Sequence, residues 1–344
     1  MLVRRVLPAL LVAALAACGT NDAGSSAAPA QPPSASSSAG PATSGSAAPS
    51  GPAAAPSGSA VPSDPAASAV PGQPAGSSST AGGATQQLPL GGTKIFPDYR
   101  VVAYYGTAGT GTLGVLGEGS PDAMLPKLRA AAKPFAGDRK VQAAYELIAS
   151  VAQAGPGKDG DYSQMIAMSK IQQYVDQARR NKVMVILDLQ PGRGDFLPQA
   201  KQLERFLVQP HVGLALDPEW RMPAGKVPGK TIGKVSAAEV NRVSAYVSGL
   251  VAQHQLPEKL FVVHQFRSSM LPDVGKIQKR PGLALVQHVD GFGTRSEKDA
   301  TWNRLRRPQQ FHLGYKLFYD EDIKRYGARD LLKFTNVPEL VTFQ

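Results

Sequence analysis

The chain has 344 residues, and its composition changes at about residue 93. Residues 19–93 carry two charged side chains, whereas residues 94–344 carry 35 Lys and Arg against 24 Asp and Glu, so the net charge of +11 lies in the second segment. That segment is long enough for one large hydrophobic core. A single cysteine excludes a disulfide scaffold, and the lack of a long apolar run after the N-terminus excludes a multi-pass membrane protein.

The first 18 residues have the pattern of a secretory signal peptide. Arg4 and Arg5 provide a positive start, and the stretch from Val6 to Ala14 is apolar but short for a membrane-spanning helix. The sequence Leu-Ala-Ala-Cys that ends at Cys18 resembles the lipobox of bacterial lipoproteins. This resemblance implies that Cys18 is acylated and anchors the protein at the extracellular face of the cell membrane. The alternative is an ordinary signal peptide with an incidental cysteine.

Residues 19–92 are predicted to form a disordered tether. The segment is rich in Ala, Pro, Ser and Gly and has no apolar periodicity. A segment of this composition does not bury enough apolar surface to offset the entropy of ordering the chain. A flexible chain of about 70 residues spans roughly 45–50 Å, which suits a domain held away from a membrane and within a cell wall.

Residues 93–344 are predicted to form one domain in which eight strands alternate with helices. Several of the predicted strands are continuously apolar, as expected for strands covered on both faces. The predicted strands are Arg100–Gly106, Val141–Val151, Val183–Gln190, Val212–Trp220, Leu260–Phe266, Leu283–Gly291, Phe311–Asp320 and Leu340–Gln344. The predicted helices begin at Ser120-Pro121, cover Ser163–Asn181, begin after Asp195, cover Ser236–Gln255, and cover 269–279, 296–306 and 321–333.

This alternation predicts an α/β fold, a (β/α)₈ TIM-type barrel. The alternative is an open, doubly wound sheet with the same local pattern. We favour the barrel because the strands number eight and because the glycines after the first strand lack the spacing of a nucleotide-binding loop.

Polar residues collect at the C-terminal ends of the predicted strands. In a parallel barrel these ends meet at one face, where active sites are built. Asp188 and Asp217 each follow directly on an apolar run, and partly buried carboxylates need partners or a function. The candidate binding residues at this face are Tyr105, Glu146, Asp188, Gln190, Trp220, His264, Gln265, His288, Asp290, Lys316 and Tyr319. By contrast, residues 320–322 are predicted to form a solvated acidic turn.

The candidate catalytic residues are Asp217 and Glu219. Both lie on the predicted strand Val212–Trp220 with the same parity, so both side chains leave the strand on the same face. Two close carboxylates repel each other, so one is expected to stay protonated near neutral pH. A neutral acid beside a charged carboxylate is the pair that glycoside hydrolysis uses, with Glu219 as the proton donor. The alternative is a structural ion pair with Arg193 or Arg221.

The residues from Gly213 to Trp220, Gly-Leu-Ala-Leu-Asp-Pro-Glu-Trp, resemble the fourth-strand motif of glycoside hydrolase family 18, the chitinase-like barrels. The resemblance implies that Glu219 is the acid and that Asp217 orients the acetamido group of the substrate. Ala215 stands where the family has the first aspartate of its Asp-x-Asp-x-Glu run, which keeps a non-catalytic glycan-binding barrel as a second hypothesis. The segment 94–344 also resembles uncharacterised secreted lipoproteins of actinobacteria.

A third hypothesis is a metal-dependent deacetylase that uses His264, His288, Asp290 and Asp188. The sequence has no HxH pattern after the first strand and no HExxH motif, so no metal and no cofactor are predicted. The net charge of +11 suits anionic surroundings, but the chain has no nucleic-acid recognition motif. We therefore expect a monomer whose partners are cell-wall polysaccharide and, through Cys18, the membrane.

Overall fold

A computed structural model describes residues 86–344. The predicted signal peptide, with Cys18, and almost all of the predicted tether lie outside the described residues. The chain packs from Leu88 onward: this side chain is buried although it belongs to the segment assigned to the tether. No helix in residues 86–344 combines the length and the apolarity that crossing a membrane requires.

Eight parallel strands close into a barrel. They are β1 (Tyr99–Gly106), β2 (Lys140–Ala152), β4 (Met184–Leu189), β5 (Val212–Leu216), β6 (Lys259–Gln265), β7 (Leu283–Val289), β8 (His312–Leu317) and β9 (Leu340–Phe343). The barrel closes because β1 pairs in parallel with both β2 and β9. An open sheet would leave two edges, so this pairing confirms the predicted (β/α)₈ TIM-type barrel. A short strand, β3 (Ser163–Met165), adds to β2 in the antiparallel direction.

Seven helices are described, and the longer ones pack against the outer faces of the strands. They are α1 (Pro121–Ala132), α2 (Met168–Arg180), α3 (Phe196–Gln202), α4 (Glu204–Leu207), α5 (Ala237–Gln253), α6 (Arg295–Leu305) and α7 (Ala328–Leu331). Ser120 and Ser236 cap α1 and α5 as predicted, because each hydroxyl accepts a backbone N–H of the first helical turn. The predicted helix at 296–306 is confirmed as α6, which begins with a capping box of Thr294 and Glu297.

Three predicted helices differ from the structure. The second begins at Met168 rather than at residue 163, because the intervening residues form β3. The segment 269–279 forms two short 3-10 turns, and only α7 is helical within 321–333. Asp195 precedes α3 as predicted but makes no capping bond there: the Phe196 N–H donates instead to Glu239.

The prediction of a solvated turn at residues 320–322 is wrong for Asp322. The Lys298 ammonium of α6 donates to both Asp322 carboxylate oxygens at 2.9 Å, and both side chains are buried. The same ammonium donates to the carbonyl oxygens of Gly291 and Lys316. This buried ion pair ties the loops after β7 and β8 to α6, and a pattern of consecutive acidic residues does not reveal it.

The core has two parts, one on each face of the barrel wall. Apolar residues on the outer faces of the strands pack against the helices. A separate cluster fills the lower barrel interior with inward residues such as Ala103, Ile186, Val262 and Leu340. Gly213 lets β5 approach β6, because a Cβ at this position would lie 2.6 Å from the Leu260 carbonyl oxygen.

Candidate active site

A ring of polar side chains lies above the apolar interior of the barrel. Seven barrel strands each contribute one member, and the eighth member directly follows β5. Each lies two positions beyond a small or apolar inward residue, as the alternation of strands requires. All eight are buried, with at most 3% of their surface exposed. We call this set the polar ring: Tyr105, Glu146, Asp188, Asp217, His264, His288, Lys316 and Thr342. The structure thus brings together seven of the residues that the sequence predicted for the site.

His264 lies between two carboxylates. Its Nδ1 is 2.9 Å from Asp290 Oδ2, and its Nε2 is 3.1 Å from Glu146 Oε1. Burial alone would lower the pKa of His264, but the hydrogen bonds to Asp290 and Glu146 outweigh it and raise the pKa well above its ordinary value. Burial likewise favours the neutral form of Asp290, yet His264 and Lys316 hold its pKa at about 2. The result is an imidazolium held between two carboxylates.

Lys316 is the second cation of the site. Its ammonium lies 3.7 Å from Asp290 Oδ2 and 3.7 Å from the centroid of the Tyr105 ring. The Tyr105 hydroxyl donates to Asp188 Oδ2 at 3.0 Å and accepts from Gln190 Nε2 at 3.3 Å. Burial and the charge of Glu146 raise the pKa of Asp188 to about 6, although His264 partly offsets them.

His288 is neutral and packs beside the imidazolium. Its ring centroid lies 4.8 Å from that of His264, and its Nε2 is 3.0 Å from Thr342 Oγ1. Burial and the charge of His264 lower the pKa of His288 well below its ordinary value. Gly314 on β8 gives this ring its space, because a Cβ there would lie 2.8 Å from His288 Cδ2.

The candidate acid pair lies where β5 ends. The strand stops at Leu216, and Pro218–Trp220 form a 3-10 turn, so the prediction that the strand runs through Trp220 is wrong. Asp217 is nevertheless buried in the polar ring, and the half-buried Glu219 lies close enough for the charges of Asp217 and Asp290 to act on its carboxyl group.

Both members of the pair hold protons more tightly than usual. Burial raises the pKa of Asp217 to about 8, with Asp188 and Asp290 adding to the rise and His264 opposing it. Burial and the charge of Asp217 raise the pKa of Glu219 well above its usual value. Since each carboxylate disfavours ionisation of the other, the pair retains at least one proton at neutral pH.

The two arginines considered as ion-pair partners have other contacts. Arg221 donates from Nε to Glu239 Oε1 at 3.0 Å, and its guanidinium is 3.9 Å from Asp195. Arg193 donates to the Lys226 carbonyl oxygen. Within residues 86–344, neither arginine forms an ion pair with Asp217 or Glu219.

Three of the predicted residues lie outside the barrel mouth or at its margin. Gln265 has the opposite parity, and it accepts from Gln287 and donates to the Arg267 carbonyl oxygen outside the barrel wall. Tyr319 lies at the rim, where its ring stacks on Phe343 at 5.6 Å and remains 40% exposed. Trp220 is half-buried in the turn beside Glu219.

Thr342, the partner of His288, is a member of the site that the sequence did not predict. Thr342 lies two positions after Leu340, which faces the barrel interior. Applying the strand alternation to β9 would have found it, but a neutral hydroxyl in an apolar run carries no other signal.

Four buried carboxylates each present an oxygen without a hydrogen-bond donor among the described residues. The oxygens are Glu146 Oε2, Asp188 Oδ1, Asp217 Oδ1 and Asp290 Oδ1. A buried acceptor without a partner costs roughly 1–3 kcal/mol. These oxygens are therefore suited to a ligand that brings hydrogen-bond donors.

His264, His288 and Asp290 place three potential metal-ligand atoms within 4.8 Å of one another. The donor set does not fit a metal ion, however. Both nitrogens of His264 are already hydrogen-bonded to carboxylates, and Asp290 Oδ2 already faces two positive side chains. A metal would have to displace these contacts and accept Lys316 as a near neighbour.

No family model and no curated protein sequence matches the chain.

Proposed function

We propose that the protein is a cell-surface lipoprotein whose barrel hydrolyses glycosidic bonds of cell-wall polysaccharide. The observation that carries the proposal is the acid pair Asp217 and Glu219, which burial and mutual repulsion keep protonated at the barrel mouth. Beside it, Asp290 stays ionised under the influence of His264 and Lys316. A protonated carboxyl group beside an ionised one is the arrangement that glycoside hydrolysis requires.

In this proposal Glu219 donates its proton to the glycosidic oxygen as the bond to the anomeric carbon breaks. A water molecule then adds to the anomeric carbon, and the proton that this water loses returns to the Glu219 carboxylate. Its position on the turn after β5, more exposed than the ring below, suits contact with a substrate. The positive charge that develops on the sugar is stabilised by the ionised carboxylates below it. Asp217 acts as the partner, since ionisation of either carboxyl group disfavours ionisation of the other and the pair therefore holds a proton before reaction.

The remaining polar ring and its neighbours are proposed to bind the sugar. Tyr105, Asp188 and Gln190 are linked by hydrogen bonds, which hold their orientation before substrate arrives. Trp220 and the exposed face of Tyr319 offer aromatic surface to sugar rings near the mouth. Anchoring through Cys18 and the 19–92 tether would bring this mouth to polysaccharide outside the membrane.

One observation favours a second candidate, a barrel that binds wall glycan without cleaving it. Ala215, which stands in the place of an aspartate in the chitinase-like motif, is fully buried in the apolar interior directly below Asp217. The third carboxyl group of the chitinase-like motif, which would lie below Asp217, is therefore missing. Such a barrel would bind the same ligand in the same pocket.

The test is the release of new reducing ends from chitin-type, arabinan and mannan oligosaccharides by the full-length protein. We expect release from at least one substrate and a loss of about 10²–10⁴-fold in Glu219→Gln, the usual contribution of a general acid. Glu204→Gln, the identical change at an exposed residue of α4, should retain full activity. Saturable binding by the wild type and by Glu219→Gln, with no release by either, would replace the enzyme with the glycan-binding barrel.

A further inference from the structure

The barrel mouth has more acidic than basic side chains. Five carboxyl groups converge there, and His264 and Lys316 are the cations that face them in the described part of the chain. The five belong to Glu146, Asp188, Asp217, Glu219 and Asp290. The excess is one of carboxyl groups rather than of negative charge, because the raised pKa values of Asp217 and Glu219 favour their protonated forms. The chain as a whole is basic, yet this site is rich in carboxyl groups.

Most of the unpartnered buried atoms at this site are carboxylate oxygens, and the other is Nδ1 of His288. The four buried carboxylates contribute acceptor oxygens without donors, from β2, β4, β7 and the end of β5. Asp188 Oδ1 lies 3.9 Å from His264 Nε2, too far for a hydrogen bond. An anionic sugar such as a uronate or a phosphorylated unit would bring further acceptors and negative charge to these oxygens. The pocket is therefore complementary to a ligand rich in donors and positive in charge.

We infer that the polar ring recognises a sugar with a free, protonated amine, such as a de-N-acetylated hexosamine unit of a wall glycan. A primary ammonium has three N–H donors and one positive charge, and it meets both the unpartnered acceptors and the excess of carboxyl groups. An N-acetylated sugar has one amide N–H, no charge and a carbonyl acceptor at the same position. The inference rests on the proposed glycosidase, for which it specifies the substrate class.

A bare metal ion is less well matched to the same oxygens. An ion needs its ligand atoms gathered around one point, and in residues 86–344 only His264, His288 and Asp290 form such a group of three. Both nitrogens of His264 are engaged in that group. The unpartnered oxygens of Glu146, Asp188 and Asp217 are not part of it. The hydrogen-bond donors of a sugar are spread over its ring, so they match these separated oxygens better than a single ion does.

Binding of an ammonium should release protons from the pocket. Asp217 and Glu219 are protonated in the free protein because burial and the charges of Asp188 and Asp290 disfavour ionisation. A positive charge placed among these groups favours their ionised forms, although His264 and Lys316 remain nearby. A neutral sugar has no such effect, so proton release distinguishes recognition of charge from recognition of hydroxyl groups.

The test is titration calorimetry of the full-length wild-type protein at pH 6, where a sugar amine is protonated. The probes are the tetramers of glucosamine, N-acetylglucosamine and glucose, each in two buffers of different ionisation enthalpy. We expect the glucosamine tetramer to bind at least about tenfold more tightly than either other tetramer and to release protons. Equal affinity, tighter binding of the acetylated tetramer, or binding without proton release would overturn the inference.

Two further measurements separate the remaining outcomes. Asp188→Asn should lose the preference for the amine, whereas Asp176→Asn, the same change at a half-buried position of α2 outside the polar ring, should keep it. If Asp188→Asn does not fold, the ligand series on the wild type still decides. Zinc or magnesium chloride that binds alone and displaces the glucosamine tetramer would assign the acceptors to a metal and overturn the inference.

The inference and the proposed activity can fail separately. Reducing-end release from an acetylated or neutral glycan, with no preference for the amine, would leave the glycosidase in place and reject the amine. Amine-selective binding with no reducing-end release from any glycan would reject the glycosidase and retain the recognition.

Discussion

The lower interior of the barrel and the polar ring above it are built on the same strands with the same alternation. On β4, Ile186 belongs to the apolar cluster and Asp188, two residues later, to the ring, and neither side chain is exposed. Burial of Ile186 stabilises the fold, because apolar surface leaves water. Burial of Asp188 leaves one oxygen without a donor and raises its pKa to about 6. The apolar interior therefore stabilises the fold, whereas burial of the polar ring lowers the stability of the fold and holds reactive groups in place.

The largest expected effect is the difference in stability between a substitution of Ile186 and a substitution of Asp188. Ile186→Ala should lower the free energy of unfolding by about 2–5 kcal/mol, because it leaves a cavity in the packed interior. Asp188→Asn should cost little at pH 8, since it removes a charge that is disfavoured there and the amide oxygen can still accept from Tyr105. Urea unfolding at pH 8 measures both. Equal losses would show that the two layers contribute alike to stability.

An intermediate effect is expected at the boundary between β8 and the ring. Gly314→Ala should destabilise the protein by about 1–3 kcal/mol, because the new methyl group would lie 2.8 Å from His288 Cδ2 and must displace the ring. Gly275→Ala is the matched control, as its Cβ would meet nothing within 4 Å. Thermal unfolding of both variants is the measurement, and a similar small shift in both would mean that the ring is not confined by Gly314.

The smallest effect, counted per pH unit, is a dependence of stability on pH, although it accumulates between about pH 4 and pH 8. Asp217 has a pKa of about 8 in the folded protein and an ordinary value of 3.8. Between these values the folded state holds a proton that the unfolded state has lost, so this group makes the wild type less stable as the pH rises and does so fully above pH 8.

Asp217→Asn should therefore gain stability relative to the wild type by on the order of 1 kcal/mol per pH unit between pH 4 and pH 8. The difference in free energy of unfolding, measured by urea titration at each pH, isolates the contribution of this residue. Asp176→Asn, at a half-buried position of α2, is the matched control. A flat difference for Asp217→Asn would contradict a buried, protonated Asp217.

Much of the barrel follows from local sequence. The eight barrel strands coincide with apolar runs because each strand is buried on both faces, by helices outside and by side chains inside. Most of the polar ring could be predicted for a related reason. Asp188 and His264 are polar residues at the ends of apolar runs, where a purely structural interior would have apolar side chains. Thr342 did not stand out, because a threonine is common in any strand.

The remaining differences come from contacts between residues distant in sequence. Asp322 reads as one of several surface carboxylates, and only the position of Lys298 on α6 explains its burial. Gln265 has a polar side chain at a strand end like the ring members, but its parity directs it toward Gln287 outside the wall. The structure ends β5 earlier than predicted, because Pro218 begins a 3-10 turn immediately after the strand. The apolar pattern alone does not show where a strand gives way to such a turn.

The most direct test of the central claim compares two leaving groups in Glu219→Gln. A natural glycan has a poor leaving group that needs a proton, whereas a dinitrophenyl glycoside of the same sugar departs without one. If Glu219 is the proton donor, the variant should lose about 10²–10⁴-fold on the glycan and retain most of its rate of bond cleavage on the dinitrophenyl glycoside, followed by release of the phenolate. Equal losses on both substrates would contradict the assignment of Glu219 as the acid.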